Sequence, residues 1–422
     1  MMNMWFKNTA FVMVFTFLSC GNGKTQVNNT SKASENEKIK TTQSTTTRSP
    51  QRGLSVTVGA NQFEEYLPLL KDKKVAIVGN QTSIVFKNSG YVHLVDTLLS
   101  KGVTITKVFA PEHGFRGQAD AGEKVNDSKD TKTGLPIISL YGNNKKPSVE
   151  QLNNVDVIVF DIQDVGARFY TYISTLHYIM EACAEQGKQL IVLDRPNPNG
   201  HYADGPLLDQ KHSSFVGMHP VPVVHGMTIG EYAQMISGEG WLDTPKKTDL
   251  TVIPVKNYNK SMPYNLPIKP SPNLPNSTAV NLYPTLCFFE GTNVNAGRGT
   301  NKQFQVFGSP YLNPEIYNFK YTPKANEGSK YPKHLGELCY GFDLSENNKR
   351  FTELHLEILI SAYNNTANKA EFFNSFFTKL AGTTILQEQI ESGLTAEEIS
   401  ETWQEGLKIY NQVRTAYELY KR

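Results

Sequence analysis

The sequence predicts an α/β protein. Apolar strands recur from about residue 75, and amphipathic helical stretches fill the gaps between them. After Pro245 the texture turns Pro- and Asn-rich before helices return. Continuous apolar strands alternating with helices imply a mostly parallel sheet covered on both faces. Residues 53–245 are therefore expected to form a Rossmann-like or flavodoxin-like domain. Residues 246–422 are expected to form a smaller C-terminal α/β (α+β) domain. No internal repeat is visible.

The first twenty residues, MMNMWFKNTAFVMVFTFLSC, place Lys7 ahead of about ten mostly apolar residues, too few for an ordinary membrane span. Residues 1–20 are expected to be a signal peptide. Phe17-Leu-Ser-Cys20 resembles a bacterial lipobox, in which Cys20 takes the lipid and anchors the chain to a membrane. Residues 21–52 are almost wholly polar and are expected to be a flexible tether. Strands are then expected at Val75–Gly79, Ile105–Ala110, Pro136–Leu140, Val155–Asp161 and Gln189–Asp194, with a further one at Leu250–Val255. Helices are expected near 89–101, 170–186, 352–363, 369–380 and 395–420. Thr228 with Glu231, and Thr395 with Glu398, carry capping-box spacing.

Composition narrows the function. Lys+Arg is 42 and Asp+Glu 40, a net charge of +2, so binding to nucleic acid by bulk charge is excluded. The four cysteines (Cys20, Cys183, Cys287, Cys339) show no paired spacing, which indicates neither a zinc site nor a disulfide framework. His113, His219 and His225 fall in no HxH or HExxH pattern, so no metal is expected. The first strand runs into Gly79-Asn-Gln-Thr-Ser83 rather than GxGxxG, and no GxxxxGK[ST] occurs. No nucleotide or other cofactor is expected.

In open parallel sheets, ligands bind outside the carboxyl ends of the strands. The first strand delivers Asn80 there. The second delivers Glu112, His113 and Arg116. The Val155–Asp161 strand delivers Asp161, Gln163, Asp164 and Arg168, and the next delivers Asp194, Arg195 and Asn197. Four strands thus send carboxylate, amide and guanidinium groups to one edge, the pattern of a polar cleft. Any one of these loops is equally well explained by caps and turns. In the second domain Glu290 follows an apolar segment and precedes a Gly-rich loop holding Asn293 and Arg298. Glycoside hydrolysis commonly uses two carboxyls, one to protonate the leaving oxygen and one as base or nucleophile. A cleft between two lobes suits a saccharide, with Phe115, Tyr170, Tyr283 and Phe289 as stacking candidates.

The segments PEHGFRG (111–117), DAGEKV (120–125), TGLPIISLYG (133–142), VFDIQDVGARFYTYISTL (159–176), LDRPNPNG (193–200), GPLLD (205–209), HGMTIGEYA (225–233) and FFEGTNVNAGRGT (288–300) resemble the NamZ-type exo-β-N-acetylmuramidases. The resemblance runs from about residue 56 onward. It implies a Rossmann-like domain plus a smaller one, with the active site between them. It also implies release of terminal, non-reducing N-acetylmuramic acid (MurNAc) from peptidoglycan fragments such as MurNAc–GlcNAc.

Carried onto this sequence, the resemblance makes Glu112 and Glu290 the catalytic pair, with Glu112 as general acid/base. Asn80, His113, Asp161, Gln163, Asp164, Arg168, Asn293 and Arg298 would line the sugar pocket. Arg116, Arg168 and Arg298 are the candidates for the lactyl carboxylate, which an Arg fork can hold by two bonds. The leader and this substrate together place the protein in the periplasm, as a lipoprotein of the outer membrane. The alternatives are a non-catalytic muropeptide-binding lipoprotein on the same fold, and an amide- or ester-cleaving enzyme. The latter would want a GxSxG or metal-ligand pattern, which is absent.

Overall fold

A computed structural model describes residues 55–116 and 128–422. The leader with Cys20, the tether at 21–52 and the DAGEKV segment lie outside the described residues. Among the described residues, nine strands come before residue 254: β1 (Val75–Gly79), β2 (Ile84–Phe86), β3 (Tyr91–His93), β4 (Ile105–Ala110), β5 (Ser128–Lys129), β6 (Pro136–Ser139), β7 (Val157–Asp161), β8 (Gln189–Leu193) and β9 (Asp249–Ile253). Seven of them form one sheet, in the order β5-β6-β4-β1-β7-β8-β9. Every pairing is parallel except β5 with β6. With β5 set aside, the strand order is the 3-2-1-4-5-6 of a doubly wound sheet, with its switch point between β1 and β7.

The central strands explain themselves. All five residues of β1 and of β7 are buried. Side chains alternate across a strand, so Val75 and Ile77 join the core on one face while Ala76 and Val78 join the other. The first face is covered by α1 (Phe63–Leu70) and α2 (Leu94–Ser100). The second is covered by α3 (Tyr172–Gln186) and α4 (Ile229–Gly238). The stretch expected to be helical from residue 89 enters its helix only at Leu94. Residues 91–93 pair with β2 instead, and the His93 side chain accepts from the Val95 amide to start α2.

After β9 come α5 (Ser277–Leu286), the antiparallel strands β10 (Val306–Ser309), β11 (Phe319–Tyr321) and β12 (Cys339–Asp343), then α6 (Leu356–Asn364), α7 (Phe376–Ala381), α8 (Ile385–Glu391), α9 (Ala396–Glu401) and α10 (Gln404–Thr415). The sheet therefore runs past residue 246, where the sequence suggests a second domain. One core also spans that boundary, since Phe160, Ile173, Leu282, Phe288, Leu380 and Trp403 belong to a single cluster. Gly53–Arg422 forms one compact unit.

Two further expected helices differ. The helix expected at 369–380 is shortened to α7, because residues 372–374 are taken up by backbone pairing. Asn293 N donates to Phe372 O (2.8 Å) and Asn374 N to Gly291 O (2.9 Å). The long helix expected at 395–420 is broken at Trp403. Its stripe still faces inward, with Ile399, Trp403, Leu407 and Tyr410 buried. Both capping boxes form, at Thr228/Glu231 and at Thr395/Glu398.

The segment after α10 returns to the sheet. Tyr420 Oη donates to Asp194 Oδ2 (2.5 Å), and Leu419 N donates to Glu231 Oε1 (2.8 Å). Fully buried Glu231 also pairs with fully buried Lys260 (3.0 Å).

Candidate active site

Glu112 stands just beyond β4, on a turn that requires left-handed backbone at His113 (φ 70°) and Gly114 (φ 75°). Thr171 Oγ1 donates to Glu112 Oε2 (3.1 Å) from the turn leading into α3. The Tyr141 hydroxyl also hydrogen-bonds Glu112. Burial, with the Glu112 charge beside it, pushes the Tyr141 pKa up to about 12.

Glu290 comes from the other half of the chain, on a single 3-10 turn (Cys287–Gly291) that follows α5. Gly291 must be glycine, because a Cβ there would stand 2.4 Å from Phe377 Cα of α7. Glycines at 297 and 299, both with φ 79°, fold the next loop back so that Arg298 Nε donates to Glu290 Oε1 (3.0 Å). The guanidinium also lies over the Phe304 ring, 5.1 Å from its centroid.

The two carboxylates line one cavity of about 650 Å³, with Tyr141, Phe169, Thr171, Tyr283 and Arg298 also in its wall. A small chamber of about 70 Å³ adjoins it. Glu112, Arg298 and Tyr283 belong to both walls, and the chamber adds His113, Tyr170 and Tyr172. Of the expected site residues, then, the structure brings together Glu112, His113, Glu290 and Arg298.

The others go elsewhere. Arg195 forms a doubly hydrogen-bonded ion pair with Asp161 (2.6 and 2.9 Å), and both are buried. Asn80 Oδ1 accepts from Thr82 N and Oγ1. Gln163 Nε2 donates to Asp164 O and Pro196 O, both at 2.7 Å, and Asp164 Oδ2 accepts from Gly166 N. These groups gather at the switch point, as expected, but they tie its loops together and do not line the cavity of Glu112 and Glu290. Buried turns need polar partners, and these side chains supply them, although Asn80 Nδ2 and Asp164 Oδ1 have no hydrogen-bond partner among the described residues.

Arg168 is fully buried and donates to four backbone carbonyls, of Pro206, Val221, Leu380 and Ala381, at 2.7–2.9 Å. Arg116 pairs with Asp130 through Nε (2.8 Å) and Nη2 (2.7 Å), which holds that carboxyl well below the usual range. Asn293 lies beyond Glu290 with its carbonyl accepting from His334 and its amide reaching Asn368 O. None of the three reaches the cavity wall. Among the four stacking candidates, Tyr170 and Tyr283 line the chamber. Phe115 packs on His93, and Phe289 stacks on Phe307 in the core.

Three contributors were missed in the sequence. Tyr141 follows β6 much as Glu112 follows β4, so the strand-end rule could have found it. Thr171 sits beside residues already singled out. Lys333 carries no local signal. Its Nζ donates to the carbonyls of Phe289 (2.8 Å), Thr292 and Val294 (3.0 Å), clasping the loop that carries Glu290. Burial pulls its pKa down to about 8, against the opposing pull of Glu290.

This arrangement can protonate a leaving group from one wall while holding an anion in a cationic setting on the other. Residues 75–278 match the family described as Exo-beta-N-acetylmuramidase NamZ, N-terminal, and residues 281–420 match its C-terminal counterpart. A relative named peptidoglycan beta-N-acetylmuramidase NamZ, from Bacillus subtilis (strain 168), is 37% identical over 375 residues. The match covers 84% of this chain and 89% of the relative. Two solved structures of DUF1343 family proteins from Bacteroides fragilis NCTC 9343 are also similar, with TM-scores of 0.80 and 0.72 and identities of 44% and 27%. Each match covers 87% of this chain and 99% of the other.

Proposed function

The chain belongs to the NamZ family of exo-β-N-acetylmuramidases, a glycoside hydrolase releasing MurNAc from peptidoglycan fragments, and from that premise we propose that Glu112 and Glu290 carry out the hydrolysis. One observation carries the assignment. Two carboxylates 178 residues apart in the sequence line a single sugar-sized cavity. Glu112 is assigned as the acid that protonates the leaving oxygen. Glu290, salt-bridged to Arg298, is assigned as the anionic partner that acts as base or nucleophile, or positions an assisting group. The naming of the relative as a muramidase favours hydrolysis over the binding-only alternative.

Of the three arginines considered for the lactyl carboxylate, Arg298 alone lines the cavity. A guanidinium carries five N–H donors, and the bond to Glu290 uses one. Arg298 is therefore assigned to recognise the lactyl group that distinguishes MurNAc from GlcNAc. The test is a pair of chromogenic glycosides. The MurNAc glycoside is expected to turn over at least ~100-fold faster than the GlcNAc glycoside, since a site built for a charged group rejects the analogue lacking it. Equal rates would remove the assignment of Arg298.

We further propose that Cys20 is lipidated and that the enzyme works in the periplasm, tethered to the outer membrane. The support is Lys7, the short apolar run, the Phe17-Leu-Ser-Cys20 motif and the polar stretch that follows. Metabolic labelling with a fatty acid is expected to mark the protein and to fail for Cys20→Ser. Equal labelling of both would count against the anchor.

A further inference from the structure

A second cavity, of about 720 Å³, lies beside the catalytic one. The loop around Gly328 divides them. Residues 324–328 wall the second cavity, residues 328–331 wall the first, and Gly328 belongs to both. Asn273 Nδ2 holds this divide in place by donating to Gly328 O (2.6 Å).

The second cavity differs in lining from the first. It holds no aromatic ring, and neither proposed catalytic carboxylate reaches it. Amides dominate, from Gln81, Gln303 and Asn326 among others, and prolines 267 and 272 supply apolar faces. Gln81 Nε2 donates to the carbonyls of Lys269 (3.2 Å) and Pro270 (3.1 Å), so the first strand's loop braces one wall. The Gln81 Oε1 and Asn326 Oδ1 atoms have no hydrogen-bond partner among the described residues. Lys269 and Lys324 against Glu327 leave the lining net positive. Its volume falls in the range of ordinary ligand sites.

These features match a glycan better than a flat hydrophobic partner. Amides pair with hydroxyl and acetamido groups, and proline faces suit the C–H faces of sugar rings. An enzyme that removes a terminal residue holds that residue at one end of its cleft, and the rest of the chain must leave by another. Here the 70 Å³ chamber with its tyrosines adjoins Glu112, while the larger trough lies on the other side of Gly328.

We propose that this trough is a binding site for the departing glycan, taking the GlcNAc released from the terminal MurNAc and the next MurNAc beyond it, whose lactyl carboxylate meets Lys269 and Lys324. The inference rests on the muramidase reading of the neighbouring cavity and extends it to chain length. It makes the enzyme prefer glycan chains over the bare disaccharide.

The experiment compares kcat/KM of the full chain on a chromogenic MurNAc glycoside, on MurNAc–GlcNAc and on the tetrasaccharide of two such repeats. The tetrasaccharide is expected to exceed the disaccharide by about tenfold at low ionic strength, an advantage that shrinks as salt screens the lysines. The double variant K269E/K324E is expected to erase that advantage and leave the chromogenic glycoside unchanged. Equal values for tetrasaccharide and disaccharide in the unsubstituted enzyme, with the chromogenic glycoside hydrolysed, overturn the trough alone. A K269E/K324E loss shared by all three substrates overturns it too. Failure to hydrolyse any of the three overturns the muramidase reading beneath it.

Discussion

Glu112→Gln is expected to lower MurNAc–GlcNAc hydrolysis by ~10²- to 10⁴-fold, and Glu290→Gln by a similar factor. Each substitution keeps the shape of the side chain and removes its ability to exchange a proton. The Thr171 hydroxyl that donates to Glu112 and the Arg298 N–H that donates to Glu290 still find a carbonyl oxygen. Both variants should therefore fold, with unchanged circular dichroism and melting temperature. A folded Glu112→Gln enzyme with full activity removes the acid assignment.

The pH profile adds a second readout. Lys333 has its pKa pulled down to about 8 and is the clasp of the Glu290 loop. As pH rises through that value its charge is lost, so kcat/KM is expected to fall on an alkaline limb near pH 8. Lys333→Arg keeps the charge and should move the limb upward. Stability runs the other way. A base whose folded pKa lies below its unfolded one disfavours folding fully below the folded value, and the penalty is relieved while only the unfolded chain still holds the proton. The Lys333 contribution therefore improves from about pH 8 to about 10.5. Thermal melts across the same pH range separate an activity loss at the site from unfolding.

Arg168→Met is expected to cost about 3–5 kcal/mol of stability, because it removes a charged donor from four buried carbonyls, of which Val221 O keeps the Leu208 amide (3.2 Å). The site has no slack to absorb the change, since a Cβ at Gly382 would already stand 2.6 Å from Arg168 Nη2. The bonds run from the loop after β7 to residues 380 and 381, so they hold the two halves of the chain together. Chemical denaturation should show the loss. The KM for MurNAc glycosides in whatever fraction stays folded should be unchanged. A raised KM with normal stability would return Arg168 to the sugar pocket.

The contrast between Arg168 and Arg298 shows where sequence reasoning stopped. Both sit in motifs rich in glycine and polar groups, and both look equally able to hold a carboxylate. Only the surroundings separate them, and those surroundings are made by segments far away in the chain. The strands were legible because fully buried parallel strands are continuous apolar runs, as in β1 and β7. Glu112 was legible because it follows such a strand directly. The residues at the switch point were noticed for their polarity, and the structure sets them in the loop framework outside the cavity wall. Asp161, Gln163 and Asp164 are polar groups at a sheet edge, and polarity there marks an interior framework as readily as a cleft. The shortened α7 was hidden because residues 372–374 pair with the Glu290 loop, a long-range choice that outweighs local helical pattern.

The hydroxyl of Tyr420 on Asp194 spans 226 residues of sequence. Asp194 lies just beyond the end of β8 and is buried completely, with Thr228 and the amides of Arg195 and Gly230 as its other donors. A nascent chain emerging from the ribosome lacks this donor until residue 420 has cleared the exit tunnel. Asp194 therefore completes its set of donors only once the C-terminal segment has been made, however early the strands of the sheet appear.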